Sequence, residues 1–390
     1  MRKIINRQYL TTTCFLLFIL LFFLLGLQSV VSGSLAAIRG FDWHKGFDST
    51  LVEIYFDDRF PFKYSLITLN GGVQRLLGRR AVNERVRLDN GYLSDIIPPT
   101  DLSDKAAATV EFFEGLEARE IPSFYVCTLT KIDSNEKHLP VGIEDYSNEN
   151  VDQFIKSLRE SKVSVLDLRE MEPPGDHYSR FFYTDHHWTP ETGLWAYTVI
   201  EEQLCSIDNS FAVDPMIGQI SNYTMRHFED ILLGSAGRRV GPLYCWYDDF
   251  DVLYPRFPTA LRLLIDGNMR EGSFDNTIIF EEVLEGKDRF HVSTYSAYLS
   301  DYYKIQTENL SDGENGTVQN NGKTLLIIGD SFSNVVAPYF MMGYKYVHLL
   351  DLRTFDEGLW SYIDYYKPDA VFVLHCPWSI CTNEYLFQYR

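Results

Sequence analysis

Two short apolar runs early in the chain and three late in it, each set interleaved with helical stretches, constrain the fold more than any other feature. Ser123-Phe-Tyr-Val-Cys-Thr-Leu129 and Val163-Ser-Val-Leu-Asp-Leu168 flank an amphipathic segment, Val151 to Glu160. Thr324-Leu-Leu-Ile-Ile328, Tyr346-Val-His-Leu-Leu350 and Ala370-Val-Phe-Val-Leu374 follow much later. Short apolar runs bounded by polar segments read as strands buried on both faces. Strands that alternate with helices imply a parallel sheet flanked by helices, an α/β fold. Between the two sets a Tyr-, Gly- and Asp-rich segment, about 212–320, lacks helical periodicity and reads as a β-rich insertion. It ends in the turn-rich Asp312-Gly-Glu-Asn-Gly316 and Asn320-Asn-Gly322.

Upstream, Leu10 to Val31 is nearly free of charge. About 20 such residues at ~1.5 Å rise span the ~30 Å hydrocarbon layer. Arg2, Lys3 and Arg7 precede the run, and Arg39 and Lys45 are the first positive charges after it. The positive-inside tendency makes residues 1–32 a cytoplasmic stub with a transmembrane signal-anchor and sends the remainder across the membrane. The expected location is therefore the cell membrane, single-pass, with the main body extracytoplasmic. Small residues in Val31-Ser-Gly-Ser-Leu-Ala-Ala37 also suit a cleavable signal end, although the apolar run is long for one. Leu66, Leu69, Val73, Leu76 and Leu77 recur at helical spacing, so 33–100 reads as a helical stalk or cap ahead of the main domain, 101–390.

The balance of 35 Lys+Arg against 54 Asp+Glu, net −19, repels a phosphate backbone and excludes nucleic acid as an ordinary partner. Cys14 falls in the anchor, and the other five cysteines show no metal-ligand spacing. Cys376 and Cys381 are near enough to pair in an oxidising compartment, but buried free thiols are the simpler reading. No cofactor is called for.

Two motifs carry chemistry. In Tyr183-Thr-Asp185-His186-His187-Trp188-Thr189-Pro190-Glu191, Thr189 is an N-cap and Pro190 the first helical residue, so a helix starts just after the histidines. An Asp two residues before a His can hold the imidazole in one tautomer and stabilise its charged form. In Leu326-Ile-Ile-Gly329-Asp330-Ser331-Phe332-Ser333-Asn334 an apolar strand runs into Gly-Asp-Ser. Groups at the carboxyl ends of parallel strands face the crevice where ligands gather, and backbone N–H groups at the next helix start can bind an oxyanion. Ser331 needs a base such as His187, and the pair with Asp185 makes a Ser-His-Asp site. Asp176, His177, Asp185, His186 and His187 are also capable metal ligands, but adjacent histidines on one loop are not expected to converge on one ion, so no metal is assigned. An Asp-His-His-Cys protein acyltransferase is excluded, because Trp188 stands where that chemistry needs a cysteine.

At these residues the chain resembles the DHHW family of bacterial extracytoplasmic proteins, which is related to the SGNH-hydrolase-like alginate O-acetylation proteins. The resemblance takes in Tyr55-Phe-Asp-Asp-Arg59-Phe60-Pro61-Phe62, Asp89-Asn-Gly91-Tyr92-Leu93 and the Thr184 to Thr192 block. It continues through Leu233-Gly-Ser-Ala-Gly-Arg238-Arg239, Gly329-Asp-Ser331-Phe332 and Asp351-Leu-Arg353. It implies a permuted SGNH-like fold with Ser331 as nucleophile, His187 as base and Asp185 as its orienter. It also implies a surface or secreted polysaccharide as substrate and a membrane-bound O-acyltransferase as partner. Ordinary SGNH enzymes carry a Gly-x-Asn element whose Asn helps form the oxyanion hole. The corresponding strand end here is Leu374-His375-Cys376-Pro377-Trp378, without an Asn. His375 and Asn334 are the candidate replacements, and Ser235, Arg238 and Trp188 are candidate substrate contacts. The expected function is a membrane-anchored O-acetyltransferase. The alternatives are a carbohydrate esterase with the same residues, or a non-catalytic glycan-binding or scaffold subunit.

Overall fold

A computed structural model of the chain describes residues 62–135, 137–300 and 304–390, together with residues 9, 12–21, 23, 24, 26, 27 and 31. The chain divides into two compact units, residues 1–70 and 71–390. In the first, residues 12–21 are helical. Among the described residues no helix is long and apolar enough to cross a membrane. The anchor expected over Leu10 to Val31, and the Tyr55 to Pro61 part of the resemblance, lie wholly or partly outside the described residues.

Of the 33–100 segment, α1 (Lys63–Leu76) realises the helical spacing of its leucines. Three short antiparallel strands follow, β1 (Ala81–Val82), β2 (Arg85–Arg87) and β3 (Leu93–Ser94). The body is then built as the apolar runs require. α2 (Ser103–Glu117), β4 (Ser123–Cys127), α3 (Ser147–Glu160), β5 (Val165–Asp167) and α4 (Pro190–Ile207) make the early set. β11 (Thr324–Gly329), β12 (Tyr346–Leu350) and β13 (Ala370–His375) make the late set, with helices α6 (Ala337–Gly343) and α7 (Leu359–Tyr366) between them. The connecting segment contributes β6 (Tyr223–Leu232), β7 (Asp248–Pro255), β8 (Leu261–Ile265), β9 (Asn268–Gly272) and β10 (Lys304–Asn309), with a short helix α5 (Ser235–Val240).

The main sheet runs β5-β4-β13-β11-β12-β10-β8-β9. Its first five strands are parallel and its last three antiparallel, which departs from the wholly parallel sheet expected. The reason is visible in the burial patterns. β13 is buried at all six positions, as a strand between two helical layers must be, whereas β8 and β10 alternate buried and half-buried positions. One-sided strands pair antiparallel, with their second face open to water. The β-rich segment thus extends the sheet through β8, β9 and β10, and only β6 and β7 form a separate ribbon.

Alternate residues of the parallel strands feed two cores. Phe124, Leu325, Ile327 and Phe372 pack with Leu194, Tyr197 and Phe340 on one face. Tyr125, Leu326, Ile328 and Val373 pack with Phe113, Phe154 and Ile363 on the other. The strand order reverses direction at β11: β12 lies on one side of it, and the chain then crosses back to place β13 on the other. Crevices at the carboxyl ends of strands form at such switch points.

α4 shows how tightly the late motif is seated. Thr189 caps its N-terminus by accepting Thr192 N–H, and Pro190 sits in the first turn. A Cβ on Gly193 would stand 2.3 Å from the Val335 carbonyl oxygen. Helix propensity alone favours alanine over glycine by about 1 kcal/mol, but a backbone oxygen in a close-packed layer cannot yield cheaply. Gly193→Ala is therefore expected to destabilise by about 1–3 kcal/mol, read as a lower denaturation midpoint. A raised midpoint would show that helix propensity outweighs the contact.

Candidate active site

Ser331 follows the carboxyl end of β11 and begins a short 3-10 helix, Ser331–Val335. Asp330, fully buried, fixes that turn. One carboxylate oxygen accepts Phe332 N–H at 3.0 Å and the other accepts Cys376 N–H, just beyond β13, at 2.9 Å. Burial alone would raise this carboxyl, but His375 nearby and the Cys376 N–H hold it below its ordinary value. The two strand ends that flank the switch point are thereby tied together.

The histidine motif is a closed loop, pinched where Phe181 and Trp188 form an antiparallel bridge. Its backbone is held from two sides by buried charges of opposite sign. Asp248 accepts Tyr183 N–H at 2.6 Å, Thr184 N–H at 2.8 Å and the Thr184 hydroxyl at 2.5 Å. Lys131 donates to the carbonyls of Leu93, Phe182 and Asp185 at 2.6, 2.8 and 2.5 Å. Burial lowers the Lys131 ammonium to about 8, against the pull of Asp248, Asp185 and Asp95. The Leu233 to Arg239 block presses on the same loop. Gly234 N–H donates to the Thr184 hydroxyl and Ser235 N–H to Asp185 Oδ2. A Cβ at Gly234 would stand 2.3 Å from the Asp185 Cβ, which accounts for glycine there.

The two motifs meet. The Trp188 indole, fully buried, donates to the Phe332 carbonyl at 3.1 Å. His187 Nδ1 lies 2.5 Å from Asp185 Oδ1, and His187 Nε2 lies 2.7 Å from Ser331 Oγ. A carboxylate can only accept, so the ring proton sits on Nδ1 and Nε2 is left to accept from the serine hydroxyl. Asp185 is buried, which would raise its carboxyl; His187 and His186 beside it, with the hydrogen bonds from His187, hold it well below the carboxylate range. His187 is packed against two rings. Tyr295 stacks on it with centroids 3.9 Å apart and planes 12° apart, and His186 lies 3.9 Å away on a tilted plane.

The other sequence candidates fall elsewhere. Asn334 spends its amide donors on the Tyr298 and Ser300 carbonyls. His375 is buried against Tyr125, whose hydroxyl lies 3.1 Å from its Nδ1, and against Phe387. Both are corrected as oxyanion donors. The helix-start N–H groups are also engaged, Phe332 with the Asp330 carboxylate and Ser333 with the Asp330 carbonyl. Trp188 is a buried pin and so not a substrate contact. Arg238 points toward the Phe290 carbonyl at 3.3 Å, while the Ser235 hydroxyl reaches His186 Nδ1 at 2.8 Å. Adjacent histidines converge after all. Asp185, His186 and His187 each offer a ligand atom within 4.8 Å of the others, because the pinched loop turns both rings to one side. The carboxylate is nonetheless committed to His187 and Ser235. Lys131, Asp248 and Tyr295 were not singled out in the sequence, since nothing local marks them. Beside the loop lies a cavity of about 40 Å³ walled by His186, Phe332, Lys131, Cys376 and Trp378.

Residues 98–210 match the family model described as SGNH hydrolase-like domain, acetyltransferase AlgX. The solved structure of Bacillus cereus PatB1 is similar at a TM-score of 0.61 and 20% identity, over 77% of this chain and 98% of that one. The same protein with a sulfonyl adduct gives 0.60 and 17%, over 78% and 97%. A DHHW family protein from Eubacterium siraeum DSM 15702 gives 0.57 and 18%, over 79% and 95%. No curated protein matches the sequence. The resemblance carried by the motif blocks is thus met by the family model and by a shared fold.

Burial pushes His186 down to about 3, with the neighbouring His187 adding to the effect. A histidine kept neutral when folded but free to charge when unfolded, near its ordinary ~6.5, makes stability fall as pH drops below that value. The loss accumulates toward the folded value, at about 1.4 kcal/mol per pH unit for one proton. His186→Asn should flatten the loss of stability between about pH 5.5 and about pH 4 by that slope, measured by denaturant titration. Equal slopes would mean that His186 takes up its proton in the folded chain.

Proposed function

We propose that the chain is an extracytoplasmic O-acetyltransferase that modifies a surface or secreted polysaccharide through an acetyl-serine on Ser331. The observation that carries this reading is the unbroken path Ser331 Oγ, His187 Nε2, His187 Nδ1, Asp185 Oδ1, with links of 2.7 and 2.5 Å on either side of the imidazole. As Ser331 Oγ attacks the acyl carbonyl, its proton passes to His187 Nε2, and the imidazolium so formed is stabilised by the Asp185 carboxylate. Collapse of the tetrahedral species expels the donor's leaving group, which takes the proton from His187. A sugar hydroxyl then attacks the acetyl-serine, with His187 again as base, and Ser331 Oγ leaves reprotonated. The match to an acetyltransferase family model over 98–210 supports acetyl as the group moved. The apolar run Leu10 to Val31 supports tethering to the membrane, and the resemblance to the alginate O-acetylation proteins suggests a membrane-bound O-acyltransferase as the source of the acetyl group.

Ser331→Ala should leave the fold unchanged and lower the chemical rate by several orders of magnitude, judged from other triads. Glycan O-acetyl content in cells carrying each chain checks this, and equal content would sink the reading. A sulfonyl fluoride, which reacts with an activated serine hydroxyl, should modify Ser331, and the adduct should vanish in Ser331→Ala. With an acetylated glycan and the purified protein, acetate release without a transfer product would favour the esterase alternative.

A further inference from the structure

The attack just described places negative charge on the acyl oxygen, and the residues expected to receive it are occupied. Asn334 Nδ2 binds two carbonyls, the N–H groups of Phe332 and Ser333 are spent on Asp330, and Cys376 N–H is spent on its carboxylate. His375 is sealed in the interior. Ser331's own N–H, at the first position of the turn, remains. A further side chain able to donate, His186, stands at the cavity wall.

We propose that His186 is the oxyanion donor of this site, giving its Nε2–H to the acyl oxygen in the role that a Gly-x-Asn asparagine would otherwise fill. The inference rests on Ser331 being the nucleophile. Its ring lies 3.9 Å from the His187 ring, and it walls the cavity beside Phe332, the residue next to Ser331. Its Nδ1 is 2.8 Å from the Ser235 hydroxyl, which has no other partner among the described residues. With the Ser235 hydroxyl taken as donor to Nδ1, the ring proton is left on Nε2. Nε2 has no partner among the described residues. Asp185 Oδ1 lies farther from His186 Nδ1, at 3.5 Å, than the Ser235 hydroxyl does, and Asp185 is bonded to His187 and to Ser235 N–H. The surroundings also keep the imidazole neutral at working pH, so it donates a hydrogen bond without giving up a proton. No proton moves through His186 in either half-reaction; the carbonyl electron pair goes to oxygen, is held there, and returns when the leaving group departs.

Hydrolysis of p-nitrophenyl acetate by the full chain tests the assignment. His186→Phe keeps a ring against His187 and removes the donor; kcat should fall about 10²–10³-fold. His186→Gln, which restores an N–H, should recover part of the loss. Activity of His186→Phe within about threefold of wild type, or a loss in His186→Phe with no recovery in His186→Gln, would overturn the proposal in favour of a packing role. If the phenylalanine chain does not fold, Ser235→Ala decides. It should lower kcat about tenfold by freeing the tautomer, and an unchanged rate would count against His186. Ser331→Ala separates the two readings: if it retains activity, the nucleophile assignment fails, whereas an inactive Ser331→Ala beside a fully active His186→Phe removes the donor assignment alone.

Discussion

The burial of Trp188 over the turn that follows β11 is what the arrangement of side chains depends on. The hydrogen bond between His187 and Ser331 joins residues 144 positions apart, and a bond of that kind is worth about 0.5–1.5 kcal/mol net. It cannot hold two segments of irregular backbone in register. A fully buried tryptophan removes about 150–250 Å² from water, or about 4–6 kcal/mol at 25 cal/mol per Å². Its indole N–H then spends its one donor on the Phe332 carbonyl, so the apolar anchor is also directional. The imidazole at 187 and the hydroxyl at 331 are set by the residues that follow each of them.

The loop carrying the histidines is buried although it has no regular structure, and its backbone groups must find partners there. The solution is a carboxylate and an ammonium acting on the same few peptides. Asp248 gathers N–H groups at 183 and 184, and Lys131 gathers carbonyls at 182 and 185. Each charge is costly to bury alone, and each is compensated by polar backbone rather than by direct pairing. Such a cage leaves the Asp185 carboxylate little freedom, which suits a group that must keep one imidazole tautomer in place.

Much of this was legible in the sequence, because it is written locally. Five apolar runs became five parallel strands with boundaries moved by a residue or two, and Thr189-Pro190 began α4 as their types require. Ser331, His187 and Asp185 came together as the two motifs implied. What escaped depends on the path of the chain between distant segments. Lys131 and Asp248 look like ordinary surface residues in sequence, and only the fold gives them buried carbonyls and amides to serve. Asn334 stood one helical step from the serine, but the position of 298–300 decided where its amide points. Two adjacent histidines were expected to diverge; the pinch between Phe181 and Trp188 turns them to the same side.

The split of the sheet between early and late strands has a further consequence for how the chain is read by its parts. The segment that matches a family model, 98–210, holds β4, β5, the histidine loop and α4, and it ends well before β11. It therefore contains Asp185 and His187 but not Ser331. Within the main sheet the two halves join at the parallel pairing of β4 with β13, five residues on each strand from Ser123 to Cys127 and from Val371 to His375. Asp330 then extends that seam by binding the first N–H beyond β13. Neither half alone holds all three of Asp185, His187 and Ser331, so the contacts among them form only when the two are brought together. A chain built this way has its site assembled only when the long-range pairing, the slowest class of contact to form, is in place.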